Sequence, residues 1–198
     1  MNKRKHKTEV RTELLQTGLR LYGEKGFNGT GIKEIVDEVG VPKGSFYNYF
    51  KSKEEYTVEI IQFYSDSLSI LWDDFLKSGP KDPFEALRYS FEMVISHLEH
   101  SEVRTGCLIG NLAAEISEVS DLCRQKMHQE MTVWKDRVSK QISQGQAMGT
   151  IRDDISTDAL TEFLWNAWEG ALLNMKIKNS TVPVKECISL LFDFFLKP

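Results

Sequence analysis

An all-α fold is predicted by three observations. Apolar residues recur at three- and four-residue spacing through the chain, no stretch alternates as a half-buried strand does, and glycine, proline or serine punctuates the sequence at helix-length intervals. At 198 residues the chain suits one or two domains and can bury a real core. A hydrophobic share of 41% and a charged share of 27% are ordinary for a soluble globule. No apolar run approaches the ~20 residues that a membrane span needs. The basic N-terminus leads into amphipathic helical sequence, not into an apolar signal core, so a cytoplasmic location without membrane partners is expected. The three cysteines, Cys107, Cys123 and Cys187, are odd in number and scattered, which argues against a disulfide framework.

The net charge of −4 conceals an asymmetry. Residues 1–53 hold eleven Lys/Arg against six Asp/Glu, and residues 54–198 hold fourteen against twenty-three. The positive field is concentrated in the first quarter of the chain. Such a division favours a small nucleic-acid-binding domain joined to a larger domain with another task.

Taken in order, Lys3, Arg4, Lys5, His6 and Lys7 carry no apolar period. They read either as a basic arm for phosphates or the minor groove, or as a solvated tail. A first helix is expected from about Thr8 to Glu24, burying Val10, Leu14, Leu15, Leu19 and Tyr22 and ended by Gly23 and Gly26. Ile32, Ile35, Val36 and Val39 then form one stripe on a short second helix, for which Thr30 is the available capping side chain. Gly40 supplies a positive-φ turn, and a third helix starts near Val41 or Pro42. Phe46 and Phe50, one turn apart, face inward. Lys43, Ser45, Tyr47, Asn48 and Tyr49 are left outside. Two short helices about a glycine turn, with a polar, aromatic and cationic outer face on the second, describe a helix-turn-helix reader of duplex DNA.

Ser52 with Glu55 three residues on is a capping box, so a fourth helix starts near Lys53 and runs to about Lys77, where Ser78-Gly79-Pro80 breaks it. Its free N–H groups with Lys51 and Lys53 suit a DNA phosphate. Asp82-Pro83 opens a fifth helix through about His100. A sixth spans about Gly106 to Ile116, and a seventh follows Ser120 to about Met148. The eighth runs from Ser156 or Thr157 to about Met175, and the ninth from about Pro183 to Leu196. The last two are more apolar than one buried stripe requires. Trp165, Trp168, Leu191, Phe194 and Phe195 exceed what a single intramolecular core absorbs.

The stretch GVPKGSFYNYFKSKEE, Gly40 to Glu55, resembles the recognition helix and following helix start of the TetR/AcrR family of bacterial repressors. Pro42 departs from the serine often found there, and Gly31 from the usual Ser/Thr cap. The resemblance implies a helix-turn-helix domain at 1–52 and a helical regulatory and dimerisation domain at 53–198. It places DNA contacts at Thr30, Lys43, Gly44, Ser45, Tyr47, Asn48, Tyr49, Lys51 and Lys53. The last two helices would pair with a second copy, and a two-fold homodimer demands a palindromic double-stranded operator.

GCLIGNLAAEIS, from Gly106, resembles the NemR/AcuR-like branch of the family, which responds to reactive electrophiles or small unsaturated acids. A thiol at a helix N-terminus beside Arg104 is activated towards its thiolate; the plainer reading of Cys107 is a small buried hydrophobe. Asn111, Trp134, Trp168 and Lys176 complete the candidate ligand or redox set, although aromatic residues at helical spacing also serve as core. His97 and His100 lack the further ligands of a metal site. No phosphate loop or nucleophile elbow is present, and no cofactor is implied. The expected function is a homodimeric repressor released by a small molecule or electrophile. A purely non-covalent ligand, an activator, or a small enzyme acting on electrophiles stand as alternatives.

Overall fold

The computed structural model describes residues 7–100 and 105–198. Lys3, Arg4, Lys5, His6 and Arg104 therefore lie outside the described residues. Among these, the chain is helical without a strand. It divides into two compact units, one holding residues up to Ser67 with Leu108–Glu130, the other Leu68–Cys107 with Met131–Pro198.

In the first unit α1 (Lys7–Gly29) buries Val10, Leu14, Leu15, Leu21 and Tyr22. Its regular course breaks at Gly26, whose φ of 73° and ψ of −179° suit only glycine. Helix α2 (Ile32–Val39) buries Ile35 and Val36. Gly40 closes it in the left-handed region (φ 76°), and Val41 N–H reaches back to the Val36 carbonyl at 3.0 Å. Helix α3 is shorter than expected, Lys43–Phe46, with Pro42 as its N-cap. Phe46 and Phe50 are both buried, as their one-turn spacing predicts.

Helix α4 (Lys53–Ser78) begins where the capping box places it, Ser52 Oγ accepting the Glu55 N–H at 3.1 Å. The Glu55 carboxylate reaches one residue further back than in the usual box and accepts the Lys51 N–H at 2.6 Å. Tyr56, one turn into α4, sends its hydroxyl to the Leu14 carbonyl of α1 at 2.5 Å. Beside it the Tyr22 and Thr57 hydroxyls share a hydrogen bond of 3.0 Å. Burial pushes both phenols well above the ordinary tyrosine range, so they remain neutral donors.

Helix α6 (Leu108–Ile116) packs on α1. Its Glu115 carboxylate accepts the Asn28 N–H at 2.8 Å, next to the break at Gly26. Helix α7 (Asp121–Met148) starts in the same unit. There Lys126 sits between Glu130, at 2.6 Å, and Gln62 of α4, and the ion pair is almost wholly buried.

In the second unit α5 (Pro83–His100), α8 (Thr157–Lys178) and α9 (Val182–Leu190) surround one apolar core with the adjoining parts of α4 and α7. Ser156 caps α8, its Oγ accepting the Ala159 N–H at 3.3 Å. Helix α9 does not continue to Leu196 as an α-helix. It widens into a π-helical turn, Leu191–Phe195, closed by Leu196 N–H on the Leu191 carbonyl at 2.8 Å. Asp193 in that turn pairs with Arg88 of α5 at 2.8 Å, and Phe192 enters the core against Phe84.

The excess apolar surface is real, but its membership differs from the expected one. Trp168 and Leu191 are buried core residues: α8 turns Trp168 onto Phe91 of α5, and Leu191 enters the core at the start of the π turn. The exposed residues of α8 include Phe163, Asn166, Gly170, Leu173 and Ile177. Their three- and four-residue steps make a heptad-like seam. Leu190 and Phe194 are exposed on α9 and its π turn.

Gly26→Ala is expected to destabilise the protein by ~1–3 kcal/mol, since a methyl there collides with the Glu115 carboxylate on a backbone that alanine avoids. Gly31→Ala, with φ of −94° and open space around it, is expected to leave the urea midpoint unchanged. Equal midpoints for both variants would contradict the strain at Gly26.

Candidate functional site

The outer face of the first unit follows from what its aromatic core holds in place. Phe46, Phe50 and Tyr56 pack ring against ring, with centroids 4.7–5.2 Å apart. With Phe46 and Phe50 fixed inward, the intervening residues must point out. Lys43, Gly44, Asn48 and Lys51 are exposed, Tyr47 is 53% exposed, and Ser45 and Tyr49 are half-buried. After Phe46 the segment continues as turns, with Tyr49 and Phe50 N–H groups on the Phe46 carbonyl at 2.9 and 3.1 Å. The ammonium of Lys7 lies 5.9 Å from the centre of the Tyr49 ring. One short surface thus gathers two cations, two phenols, an amide and a hydroxyl, the groups that reach phosphates and base edges.

Two expected contact residues, and the start of α4, stand differently. Thr30 is only 1% exposed, and its hydroxyl donates to the Gly26 and Leu21 carbonyls. It satisfies the carbonyls left open by the break in α1, makes no cap for α2, and is not available to a phosphate. Lys53 is half-buried, with its ammonium on the Phe27 carbonyl and 4.0 Å from the Phe27 ring centre. Burial holds its pKa below the ordinary lysine range, with Glu115 and Glu54 opposing the shift. At the start of α4 the Glu55 carboxylate takes a backbone donor and sets a negative charge where a phosphate was expected. That backbone bond draws the carboxyl below its usual range. Sequence spacing cannot show that a lysine turns inward onto a carbonyl twenty-six residues earlier.

The second unit holds the other candidate cluster. Cys107 precedes α6, which starts two residues later than expected, so the thiol occupies the N-cap position. It is half-exposed and packs against the aromatic core. Its side chain hydrogen-bonds the carboxyl of Glu169, which burial holds above the usual range. Lys176 arrives at the same place, since a methyl placed on Gly106 would lie 3.1 Å from its Cδ. Trp165, Glu169, Leu172 and Lys176 are spaced i, i+4, i+7 and i+11 on α8. That row was the available signal for Glu169, which a reading of aromatic residues alone overlooks. Trp134 and Trp168 are buried within a chain of edge-on rings running Trp134, Trp72, Phe91, Trp168, with centroids 5.1–5.7 Å apart. Asn111, on α6, belongs to the first unit.

The remaining cysteines differ in setting. Cys123 is buried and directs its sulfur to the Glu54 carbonyl at 3.7 Å, and burial pushes its pKa up. Burial does the same for Cys187. His100 is tied through Nδ1 to the Ser96 carbonyl at 2.7 Å, and the described residues contain no group of three side chains that could hold a metal. No helix among them is long and apolar enough to cross a membrane.

A helix-turn-helix head and a separate helical unit with an aromatic core and a half-exposed thiol define the class of DNA-binding regulators with an attached helical domain. Residues 14–58 match the model of bacterial regulatory proteins of the tetR family, and residues 83–191 the tetracyclin repressor-like C-terminal domain. The chain belongs to the TetR family. It is 33% identical over 190 residues to the HTH-type transcriptional repressor DhaR of Mycobacterium sp. strain GP1, covering 96% of this chain and 94% of DhaR. It is 33% identical over 165 residues to the transcriptional regulator AcuR of Cereibacter sphaeroides, covering 83% and 75%. The crystal structure of E. coli NemR in its reduced form superposes with a TM-score of 0.85 at 25% identity, covering 96% of this chain and 97% of that one.

Lys43→Ala is expected to weaken duplex binding and to flatten the log–log salt dependence by about one unit, as loss of one phosphate contact does. Tyr47→Phe should weaken all duplex sequences about equally. Lys53→Ala should instead lower the thermal midpoint, because it removes the tie to Phe27. Fluorescence anisotropy at several salt concentrations, beside a thermal melt, separates the three. A Lys53→Ala protein with unchanged melting and a flattened salt slope would show that the lysine turns out to meet DNA.

Proposed function

We propose that this protein is a cytoplasmic homodimeric repressor that holds a palindromic operator and is released by a small molecule or reactive electrophile, sensed through Cys107. The observation that carries the reading is the gathering of Cys107, Glu169 and Lys176 in the second unit. Cys107 directly precedes α6 in the chain, a helix of nine residues whose far end bonds Asn28 beside the α1–α2 junction. The Cys107 thiol gives up its proton to Glu169 or solvent, and its sulfur adds to the carbon–carbon double bond of an unsaturated carbonyl electrophile. The π bond breaks as the carbon–sulfur bond forms, and the resulting enolate takes a proton from solvent. Lys176, whose stem lies at Gly106, is the partner for the modified sulfur. Added bulk at the N-cap of α6 disturbs a helix packed on α1, and with it the two reading heads lose their fit to half-sites ~34–36 Å apart. Coupling of ~1–3 kcal/mol suffices for a 5–150-fold change in DNA affinity. That relatives are named repressors, and that a related protein's structure is described by its reduced form, supports repression and a redox-responsive thiol.

The dimer rests on the exposed seam of α8 with Leu190 and Phe194. A built Cβ on Gly170, in the middle of the seam, meets nothing within 4 Å, which leaves room for the backbone of a second copy to approach closely. A purely non-covalent effector is the second reading, favoured by the aromatic core against which Cys107 packs.

Operator-bound protein titrated with N-ethylmaleimide is expected to release DNA in the wild type, Cys123→Ser and Cys187→Ser forms, while Cys107→Ser stays bound. Release of Cys107→Ser at the same dose would move the sensing to a non-covalent ligand. Ile177→Asp combined with Phe194→Asp, both 73% exposed, is expected to sediment as a monomer and to lose most operator affinity. A double variant that remains dimeric would place the interface elsewhere.

A further inference from the structure

The first unit carries many cations and leaves few of them for DNA. Arg20, Lys25 and Lys33 each pair with a carboxylate of α1 or α2. Arg11 answers Glu59, Lys51 lies 3.4 Å from Glu55, and Lys53 is turned onto Phe27. On the outer face Lys43 and Asn48 are exposed, and their side chains make no such contact among the described residues. Phosphate attraction through few uncommitted cations gives affinity without choosing between sequences. The choice must then fall to neutral groups that reach base edges. Tyr47 offers a single hydroxyl, whereas the Asn48 amide sets a donor and an acceptor side by side.

The backbone of Asn48 is pinned from both sides. Its N–H donates to the Ser45 carbonyl at 3.1 Å, and Phe46 and Phe50 are buried before and after it. One turn earlier stands Gly44, exposed, where a methyl would meet nothing within 4 Å. The fold has room for a side chain there, and glycine costs helix stability, so the bare position serves the close approach of another molecule. A short amide beside a bare position suits the floor of a groove. In the major groove adenine alone matches an amide at both atoms, with the N6 amino group as donor beside N7 as acceptor. Guanine shows two acceptors, cytosine a donor, and thymine an acceptor beside a methyl group. We infer that Asn48 selects an adenine in the operator, its Oδ1 accepting from N6 and its Nδ2 donating to N7. The inference rests on the reading of this protein as an operator binder and is independent of how it is released.

The test has the full-length wild type and Asn48→Ala each select duplexes from one random-sequence library. The wild type is expected to yield a consensus with an adenine at a position where Asn48→Ala accepts any base, the other positions keeping their preference. In measured affinities the wild type should discriminate there by roughly 5–100-fold and Asn48→Ala by less than about twofold. Replacing that adenine with 7-deazaadenine, which pairs normally but lacks N7, should weaken the wild type about fivefold and leave Asn48→Ala unchanged. Because the side chain is exposed, Asn48→Ala should keep the thermal midpoint, and the 7-deazaadenine measurement on the wild type needs no variant. An adenine preference that survives Asn48→Ala, a dependent base other than adenine, a uniform loss across all sequences, or indifference of the wild type to 7-deazaadenine would each overturn the inference. All four leave the operator reading intact. A library from which the wild type draws no consensus sinks both.

Discussion

The DNA-reading face depends on where the Tyr56 ring can sit. It lies against Phe46, Phe50 and Tyr22, while its hydroxyl closes on the Leu14 carbonyl. One side chain thereby ties α1, α3 and α4 together. Its neutral phenol donates in a buried setting where an unpaired hydroxyl is costly, so position and orientation are both specified. Only four residues of α3 are helical, too few to persist alone. The outward set of Lys43, Tyr47 and Asn48 is therefore a product of tertiary packing, and the helix inherits its shape from the rings beneath it.

Most of the architecture was legible because it obeys short-range rules. The stripe of α2, the glycine turn and the Ser52–Glu55 cap are local features, and each appears within a residue or two of its expected place. What escaped the sequence was long-range. Thr30 turned inward because the break at Gly26 left carbonyls to satisfy, and Lys53 because Phe27 offered both a carbonyl and a ring. Neither partner is visible from spacing. Trp168 and Leu191 went to the core instead of the seam for a related reason. A helix apolar over most of its circumference gives composition but not rotation, and the division between its faces is decided by α5. Near Cys107, the helical row did bring Lys176 to the thiol's neighbourhood, whereas Glu169 was passed over because a lone carboxylate among tryptophans resembles an ordinary surface residue.

Charge is placed with economy in the two units. The buried pair of Lys126 and Glu130, joined by Gln62, is an expensive way to hold two helices, since desolvation offsets much of the attraction. What the group contributes is register: Lys126 and Glu130 are paired within α7, and the buried ammonium meets Gln62 of α4 at one longitudinal position, so a slide of one turn would cost it that partner. Across the first unit Glu115 has a similar duty, accepting a backbone donor at Asn28. In both places the specificity comes from groups that would be costly to leave unmatched. The apolar core of the second unit, with its interchangeable aliphatic contacts, sets a position less strictly.

The π-helical turn at Leu191–Phe195 makes the end of the chain unusually sensitive to its own length. One residue more than an α-turn requires lets Phe192 point into the core while Asp193 meets Arg88 and Phe194 stands outside. Removing a single residue would restore regular hydrogen bonding locally. It would also rotate everything beyond by about 100°, the angular step of one helical residue, and Leu196 would lose its seat with Arg152 on its carbonyl. Chain ends are commonly where insertions and deletions pass unnoticed. Here the reading frame of the final turn, more than the identity of its residues, decides which phenylalanine the molecule shows to solvent.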